Sequence, residues 1–513
     1  MPSNFSFYLP QKKIEKVLRD LQTKKAAVWE KKGERMALEL FRLMARDVPA
    51  YQRLLKKLGI RPESIKKIKD FNRLPVVDKA SYIKTNDFAD LFPKKNIGDV
   101  TTFSATSGST GEPTFFPRGE KQDQYYEYIL EIFLRNQFEI HRKKTLGIIG
   151  FGLGVWIGGI FTYKNLNQLA QKGYSLSLVP VGPNKELVLK SLQKFGRLFD
   201  QVILMGYPPF IKDVIDEAPA KGINWRDYKI RILTAAEGFS EEFREYLAEK
   251  TGLKNPLTDV VNIYGTVELG TMAHETALGN LIRKIAWSDP AVFQEVFGCP
   301  PNRIPTLAQY HPYIVYFEEV KEEVIGTGFC SGIPLIRYRF PDKGGVIPFE
   351  KMVQKLKNCE VDIFQEARKA QIEKTILRLP FVYVYERSDS AATLVGIIIY
   401  PEYIKAALEK KPFERYLTGK FTMITKTDEY QNQFLEINVE LKRGVKGSLS
   451  LARQIEKESR QTLASRSTEY NHLLGVGSEK EKERLRPRIV LWPAEHPVHF
   501  RPGAKQSWVK KPN

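Results

Sequence analysis

Apolar residues recur along the chain at two different spacings, and the change from one to the other predicts how the chain is organised. Over residues 11–58 they fall three or four positions apart, among lysines and arginines. They are Ile14, Val17, Leu18 and Leu21, followed by Leu38, Leu40, Phe41 and Met44. This period predicts two amphipathic helices that wrap the main domain, within a helical segment covering residues 1–98.

From residue 99 to residue 270 the apolar residues form short runs separated by stretches of helical period. The runs are Leu146–Ile149, Leu178–Val181, Val202–Met205, Ile230–Leu233 and Val260–Ile263. Strands that alternate with helices predict right-handed βαβ units and a mainly parallel sheet flanked by helices. Ligands bind such sheets at the carboxyl ends of the strands, so a site is expected there.

The pattern changes twice more towards the C-terminus. Residues 345–379 have apolar positions typical of one helix, which we interpret as an insertion. Beyond Asp389 we predict a long helix near 450–474 and strands at Leu394–Ile399, Phe421–Thr425, Phe434–Val439 and Ile489–Trp492. The predicted fold class is therefore α/β, with a large N-terminal domain over residues 1–388 and a small mobile α+β domain over residues 389–513.

Composition and charge narrow the function classes. Of 513 residues, 42% are hydrophobic and 27% are charged, as in a globular protein with a sizeable core. The formal net charge of +20 suits nucleic acid, an anionic membrane surface or small acidic ligands such as ATP and coenzyme A. Basic and acidic residues are mixed throughout, and no nucleic-acid-binding module is evident. We therefore expect no nucleic acid among the partners.

The cysteines and one apolar stretch bear on location. Cys299, Cys330 and Cys359 are odd in number and 29 to 31 residues apart, which matches neither a disulfide framework nor a zinc site. A reducing cytoplasm fits this pattern. The stretch 146–163 is uncharged, but six of its eighteen residues are glycine. We therefore expect a buried strand and a close-packed loop there rather than a membrane span.

The segment Thr106–Pro113 interleaves hydroxyl residues with glycines, which is the composition of a loop that holds phosphate. Hydroxyl groups come from Thr106, Ser107, Ser109 and Thr110, while Gly108 and Gly111 let backbone N–H groups approach an anion closely. The segment is not a Walker A motif, because no Lys-Ser or Lys-Thr pair follows it. The alternative interpretation is an ordinary surface linker.

Four further motifs follow this phosphate loop in order. They are Tyr264-Gly265-Thr266-Val267-Glu268 after a β-branched run, the strand Pro334–Asp342, Arg387-Ser388-Asp389, and Pro502-Gly503-Ala504-Lys505. Together the five motifs resemble those of the adenylate-forming (acyl-activating) enzyme superfamily, in particular its phenylacetate–CoA ligase/CapK-like branch. The resemblance extends from the segment Arg73–Lys79 to Lys505, and it implies that the ATP and acyl sites lie within residues 99–388.

The resemblance implies a role for each motif. Thr106, Ser107, Gly108, Ser109, Thr110 and Gly111 would hold the ATP phosphates, and Ala235, Ala236 and Glu237 would line the adenine, on which Tyr264 stacks beside Gly265 and Thr266. Glu268 would bind Mg²⁺, for which one protein carboxylate is sufficient. Asp342 would accept hydrogen bonds from the ribose hydroxyls, supported by Arg387. Asp389 would be the hinge of the small domain. The implied catalytic residues are Lys505, which would bridge the acid and the α-phosphate, with Glu268 and Thr106.

Three positions depart from the family pattern. Val267 stands where threonine or serine commonly precedes the magnesium glutamate. Pro341 replaces the glycine before the ribose aspartate, and its ring fixes φ and removes an N–H donor. One extra residue precedes Lys505, and Lys510 and Lys511 lie close by, so the choice of the catalytic lysine stays open.

The expected activity is that of an AMP-forming carboxylate–CoA ligase. ATP would activate a carboxylic acid as an acyl-adenylate, and the acyl group would pass to a thiol, with coenzyme A as the expected acceptor. Two alternatives stay open: transfer to an amine, a hydroxyl or a carrier-protein thiol, and a nucleotide-binding scaffold without catalysis. The expected ligands are ATP, Mg²⁺, the thiol acceptor and a carboxylic acid that no motif identifies. His274 and Glu275 either line the acyl pocket or continue a helix.

Overall fold

The computed structural model describes residues 13–106, 114–155, 157–298, 305–329, 332–387, 391–500 and 508–509. Its helices are α1 Ile14–Thr23, α2 Ala27–Asp47, α3 Pro49–Lys57, α4 Glu120–Phe138, α5 Ile157–Gln171, α6 Lys185–Phe195, α7 Pro208–Glu217, α8 Glu241–Thr251, α9 Pro256–Asp259, α10 Ala277–Ser288, α11 Pro290–Phe297, α12 Phe349–Asn358, α13 Ile363–Lys369, α14 Pro401–Leu408, α15 Leu449–Arg466, α16 Thr468–Val476 and α17 Glu479–Arg484. Its strands are β1 Val100–Thr106, β2 Thr114–Gly119, β3 Thr145–Ile149, β4 Leu176–Pro180, β5 Gln201–Gly206, β6 Ile230–Ala235, β7 Val260–Thr266, β8 Gly270–His274, β9 Thr306–Tyr310, β10 Val315–Val320, β11 Glu323–Gly328, β12 Leu335–Ile347, β13 Phe381–Arg387, β14 Ala392–Leu394, β15 Ile397–Ile399, β16 Leu417–Thr427, β17 Gln433–Leu441 and β18 Arg488–Trp492. The predicted α/β class is confirmed.

Within the described residues 13–58 the chain forms three α-helices rather than the predicted two. Helix α1 buries Val17 and α2 buries a longer stripe that includes Leu40. Helix α2 ends before Val48, which has φ −104° and ψ 106°. The cause is Pro49, whose ring disfavours the helical region for the residue before it. Pro49 then begins α3, where its missing N–H costs no hydrogen bond.

The largest sheet has eleven strands in the order β10-β11-β12-β13-β9-β8-β7-β6-β5-β3-β4. Strands β4, β3, β5, β6 and β7 pair in parallel, as predicted for this region. Strand β8 pairs antiparallel with both β7 and β9, and β11 pairs antiparallel with β10 and β12. The sheet is therefore parallel where helices alternate with strands and turns antiparallel from β7 to β9, a change that the apolar runs did not predict.

The glycine-rich stretch 146–163 forms β3 and the start of α5. Every residue of β3 is buried, as predicted, but a helix begins at Ile157 where a loop was expected. The glycines serve close packing: a Cβ atom at Gly159 would overlap the carbonyl oxygen of Gly152. Among the residues that the structure describes, no helix is both long and apolar enough to cross a membrane.

The single helix predicted within 345–379 is replaced by two short helices, α12 and α13, which follow the end of β12 at Ile347. Asp362 begins the second helix, α13, by accepting hydrogen bonds from the N–H groups of Phe364 and Gln365 at 3.0 and 3.1 Å. An N-cap residue has non-helical backbone angles, and this separates α13 from α12. Both helices pack with α10 and α11 in one hydrophobic cluster.

The chain divides into two compact units. The larger contains residues up to Ala105, Phe115–Gly206 and Ile211–Glu386, while the smaller begins at Arg387 and also contains Thr106, Thr114 and Tyr207–Phe210. The predicted boundary lay two residues later in the chain, after residue 388. The mobility of the smaller unit stays a prediction, and Asp389, the predicted hinge, lies outside the described residues.

The smaller unit combines strands and helices, as the α+β prediction requires. Strands β16, β17 and β18 form a sheet, and β14 and β15 form a hairpin where one strand was predicted. The predicted long helix is interrupted at Ser467, whose side chain accepts a hydrogen bond from the N–H of Tyr470 at 3.2 Å and so begins α16. Phe421, Ile437 and Ile455 are fully buried in the core of this unit.

Candidate active site

The turn after β6 contains the residues predicted to line the adenine. Ala236 has φ 80°, a conformation that residues with a Cβ atom rarely adopt. Asn262 of β7 supports the turn: its side-chain N–H donates to the carbonyl oxygen of Glu237 at 2.9 Å, and its Oδ1 accepts from the hydroxyl of Thr234 at 3.0 Å. The neighbouring strand thus holds a strained turn in place. Asn262 was not among the predicted site residues.

The next site residue, Tyr264, lies within strand β7. Its ring is 9% exposed and lies 6.3 Å from the ring of Phe317, at an interplanar angle of 30°. Its hydroxyl donates to Oδ2 of Asp342 at 2.8 Å. The structure therefore brings together the residues predicted to contact the adenine and the ribose, although their sequence positions are 78 apart. Their roles in nucleotide binding stay predictions.

Strand β7 ends with Gly265 and Thr266, and the turn that carries Glu268 follows directly. A Cβ atom at Gly265 would lie 2.7 Å from the carbonyl oxygen of Gly270, so the close approach of β7 and β8 requires glycine there. Thr266 accepts a hydrogen bond at its hydroxyl from the N–H of Leu269 at 3.3 Å. The close approach at Gly265 and the hydrogen bond to Thr266 set the path of the turn that carries Glu268, the predicted metal ligand.

Glu268 is largely buried, and two side chains contact the same oxygen of its carboxylate. The hydroxyl of Tyr338 donates to Oε1 at 3.4 Å, and Nζ of Lys79 lies 3.3 Å from it. Burial, followed by the charge of Glu268, raises the pKa of Tyr338 well above its ordinary value, so the hydroxyl stays protonated and donates. The guanidinium of the buried Arg118 donates to the carbonyl oxygen of Val267.

Lys79 reaches Glu268 through a backbone contact that the sequence analysis missed. Val77 forms a parallel bridge with Tyr338: its N–H donates to the carbonyl oxygen of Arg337 at 3.1 Å, and its carbonyl accepts from the N–H of Arg339 at 2.8 Å. The segment Arg73–Lys79, with which the family resemblance begins, therefore lies beside β12. The lysine at the end of this segment is the sequence feature that could have indicated the contact with Glu268.

Of the remaining predicted residues, Thr106 and Arg387 belong to the smaller unit, and the others lie outside the described residues. Thr106 ends β1, is buried, and donates its hydroxyl to the carbonyl oxygen of Thr114 at 3.4 Å. Arg387 ends β13. Residues 107–111 of the phosphate loop and Lys505 lie outside the described residues. Their predicted roles are therefore untested.

Comparison with known proteins supports the resemblance seen in the motifs. No family model matches the chain. Phenylacetate-coenzyme A ligase of Pseudomonas putida is 23% identical over 317 residues, which are 59% of this chain and 63% of that protein. The enzyme of the same name from Thermus thermophilus is 23% identical over 229 residues, 43% of this chain and 46% of that protein. The matches thus span less than two thirds of these relatives.

Solved structures extend the match to nearly the whole chain. A 2-hydroxyisobutyryl-CoA ligase in complex with 2-HIB-AMP and CoA, in the thioesterification state, aligns with 96% of this chain and 91% of its own, with a TM-score of 0.64 and 15% identity. The chain has the fold of the adenylate-forming ligases. The same ligase in its postadenylation state with R3-HIB-AMP aligns with a TM-score of 0.55 and 16% identity, over 96% of this chain and 92% of its own. The family resemblance that the motifs indicated is confirmed.

Within this adenylate-forming fold, Glu275 belongs to a buried ionic cluster. Its carboxylate lies 3.0 Å from Nη2 of Arg244 and 2.6 Å from Nη1 of Arg283, and Glu241 pairs with both arginines at 3.2 and 2.8 Å. Although burial opposes it, the two arginines hold the pKa of Glu241 below its ordinary value. Glu275 also accepts the N–H of Asn262 at 3.0 Å. It follows β8, so of the two alternatives left open for it the continuation of a helix is wrong, and a place in the acyl pocket stays untested.

His274 ends β8 in the interior of the adenylate-forming fold. Its ring stacks on Phe133 at 4.2 Å and lies 6.4 Å from the ring of His311. Neither of its nitrogens has a hydrogen-bond partner among the described residues. Burial lowers the pKa of His274 to about 4 and that of His311 to about 3, because a charged imidazolium is costly in an apolar interior. Both rings are therefore neutral at pH 7.

Proposed function

We propose that this protein activates a carboxylic acid with ATP and transfers the acyl group to the thiol of coenzyme A. The observation that carries the proposal is the convergence of two distant parts of the chain, one with Tyr264 and Glu268 and the other with Asp342, at one place in an adenylate-forming fold. The 23% identity to two phenylacetate-coenzyme A ligases supports the same reaction class.

The chain's own groups suit each part of the nucleotide. Asp342 ends in a carboxylate, which accepts two hydroxyl donors as a ribose presents them, and Tyr264 already fixes the orientation of one of its oxygens at 2.8 Å. The turn at Ala236 and Glu237, held by Asn262, would line the adenine. Its strained backbone is stabilised by the hydrogen bond to Glu237 at 2.9 Å.

The donor set at Glu268 fits a magnesium ion. Mg²⁺ binds proteins through one or two carboxylates and fills its other positions with phosphate oxygens and water, which one glutamate satisfies. When bound, the ion supplies positive charge beside the phosphates as pyrophosphate leaves. Glu268 would hold it, and the hydroxyl of Tyr338 would keep the carboxylate in place from 3.4 Å.

The reaction would proceed in two steps, adenylation of the acid and then formation of the thioester. An oxygen of the acid attacks the α-phosphorus of ATP, the bond to the β-phosphate oxygen breaks, and pyrophosphate leaves with the electron pair. The sulfur of coenzyme A then attacks the acyl carbon, its proton goes to solvent, and AMP leaves. Lys505 would place positive charge between the acid and the α-phosphate in the first step. Transfer by domain rotation about Asp389, and a cytoplasmic location, remain parts of this proposal.

The test is a screen of carboxylic acids for acid-dependent pyrophosphate release, with and without coenzyme A. We expect at least one acid to give pyrophosphate and AMP, and the acyl thioester to form when coenzyme A is added. An acyl-adenylate that accumulates without consuming coenzyme A would redirect the proposal to an amine, hydroxyl or carrier-protein acceptor. Binding of ATP without pyrophosphate release for any acid would indicate a non-catalytic nucleotide-binding protein.

A further inference from the structure

Lys79 contacts the carboxylate that is proposed to hold the metal ion. Its Nζ lies 3.3 Å from Oε1 of Glu268, and the two side chains are 29% and 12% exposed. The same oxygen accepts the hydroxyl of Tyr338 at 3.4 Å. The pair is thus partly shielded from water, which strengthens the attraction between its charges, while the lysine keeps a route to solvent.

Backbone contacts, rather than side-chain packing alone, bring Lys79 to this position. The bridge between Val77 and Tyr338 fixes the backbone just before Lys79. Asp78 then caps the short π-helical turn Lys79–Ile83, accepting the N–H of Ser81 at 2.8 Å. The side chain of Arg337 also holds this part of the chain, because it donates to the carbonyl oxygens of Phe71 and Leu74 at 2.8 and 2.6 Å. Lys79 is therefore held at Glu268 by the fold.

The charges at this place decide which ions can enter. One ammonium and one carboxylate neutralise each other. A divalent cation that joined this pair would face the ammonium at close range and add two positive charges to groups whose own charges already cancel. A nucleotide triphosphate changes the balance, because its phosphate oxygens carry enough negative charge for both cations.

We propose that Lys79 is a positioning residue that makes metal binding at Glu268 depend on bound nucleotide. Without nucleotide, the ammonium group occupies the carboxylate and disfavours a free divalent cation. With nucleotide, the phosphates attract the ammonium, and Glu268 becomes available to the metal. The inference rests on the proposed function, since it takes Glu268 as the metal ligand.

The test measures metal binding without catalysis. The full chain and its Lys79→Met variant are titrated with Mn²⁺, followed by the electron paramagnetic resonance signal of the free ion, first alone and then with α,β-methylene ATP. We expect Lys79→Met to bind Mn²⁺ alone about fivefold more tightly or better, the scale of a partly exposed ion pair. The gain in Mn²⁺ affinity on adding the analogue should shrink in parallel. Unchanged or weaker binding of Mn²⁺ alone overturns the proposal.

Four further variants make the result specific. Lys79→Arg keeps the charge and should behave as the parent protein. Lys84→Met removes an exposed lysine just after the same turn and should also leave Mn²⁺ binding unchanged. Lys79→Gln replaces Lys79→Met if the latter does not fold. Glu268→Gln should lose Mn²⁺ binding; if it does not, the metal assignment in the proposed function fails as well, whereas its loss with an unchanged Lys79→Met variant refutes the role of Lys79 alone.

Discussion

Replacing Glu275 by glutamine should destabilise the larger unit by about 3 kcal/mol, because removing one partner from a buried ion pair leaves an uncompensated charge. Glu275 is fully buried, and Arg244, Arg283 and Glu241 are between 1% and 3% exposed. The cluster contains two carboxylates and two guanidinium groups, so the substitution leaves a net charge of about +1 in a buried position. Glutamine keeps the shape of the side chain, so the loss reports charge rather than a cavity.

The assay is urea denaturation of the parent chain and the variant at pH 7, monitored by tryptophan fluorescence. Glu245→Gln is the matched control, because its partner Lys284 lies 3.4 Å away and the two side chains are 48% and 59% exposed. Such exposed pairs contribute about 0–1 kcal/mol. A Glu275→Gln loss no larger than that of Glu245→Gln would show that water or a rearranged arginine already relieves the charge, and the buried cluster would then not support the site.

Four other outcomes are expected. Glu268→Gln should lower the rate of pyrophosphate release about 100-fold or more at saturating ATP, with circular dichroism unchanged, because a charged metal ligand is lost. Asp342→Ala should raise KM for ATP far more than KM for the acid; equal changes would place Asp342 elsewhere. Lys505→Ala should block adenylation, yet still form thioester from chemically made acyl-adenylate in single-turnover experiments. The free energy of unfolding should fall as the pH drops from about 6.5 towards 4, because the pKa values of His274 and His311 are about 4 and about 3 in the folded chain and their unfolded forms take up protons first. His274→Gln should lessen that slope, and an unchanged slope would argue against a neutral buried ring.

The parallel part of the sheet could be predicted because β3, β5, β6 and β7 are largely buried and so form mainly apolar runs. The antiparallel part could not, since polar residues such as His274, Gln309 and Thr327 stand within its buried strands and interrupt the pattern. Ser467 shows the same limit for helices: a serine looks compatible with a helix interior, and only its hydrogen bond to Tyr470 shows that a new helix begins there.

The residues of the candidate site also fall into those that the sequence predicted and those that it did not. Tyr264, Glu268 and Asp342 were predicted because each lies in a motif of recognisable order. Lys79 and Tyr338 were not, because their contact with Glu268 depends on the bridge between Val77 and Tyr338, 261 residues apart in the chain. No local pattern encodes which segment will lie beside β12. Contacts between distant segments are set by the packing of the whole unit, and sequence periodicity carries no information on them.

The two carboxylates of the site are connected in a reciprocal manner. Strand β7 provides Tyr264, which donates to Asp342 of β12 at 2.8 Å, and β12 provides Tyr338, which donates at 3.4 Å to Glu268 in the turn after β7. These strands are not neighbours in the sheet, since β8, β9 and β13 lie between them in the strand order. Two tyrosine hydroxyls therefore span that gap and fix the distance between the proposed ribose ligand and the proposed metal ligand. Because a nucleotide must contact both carboxylates at once, holding them at a set separation before it binds reduces the ordering that binding would otherwise require.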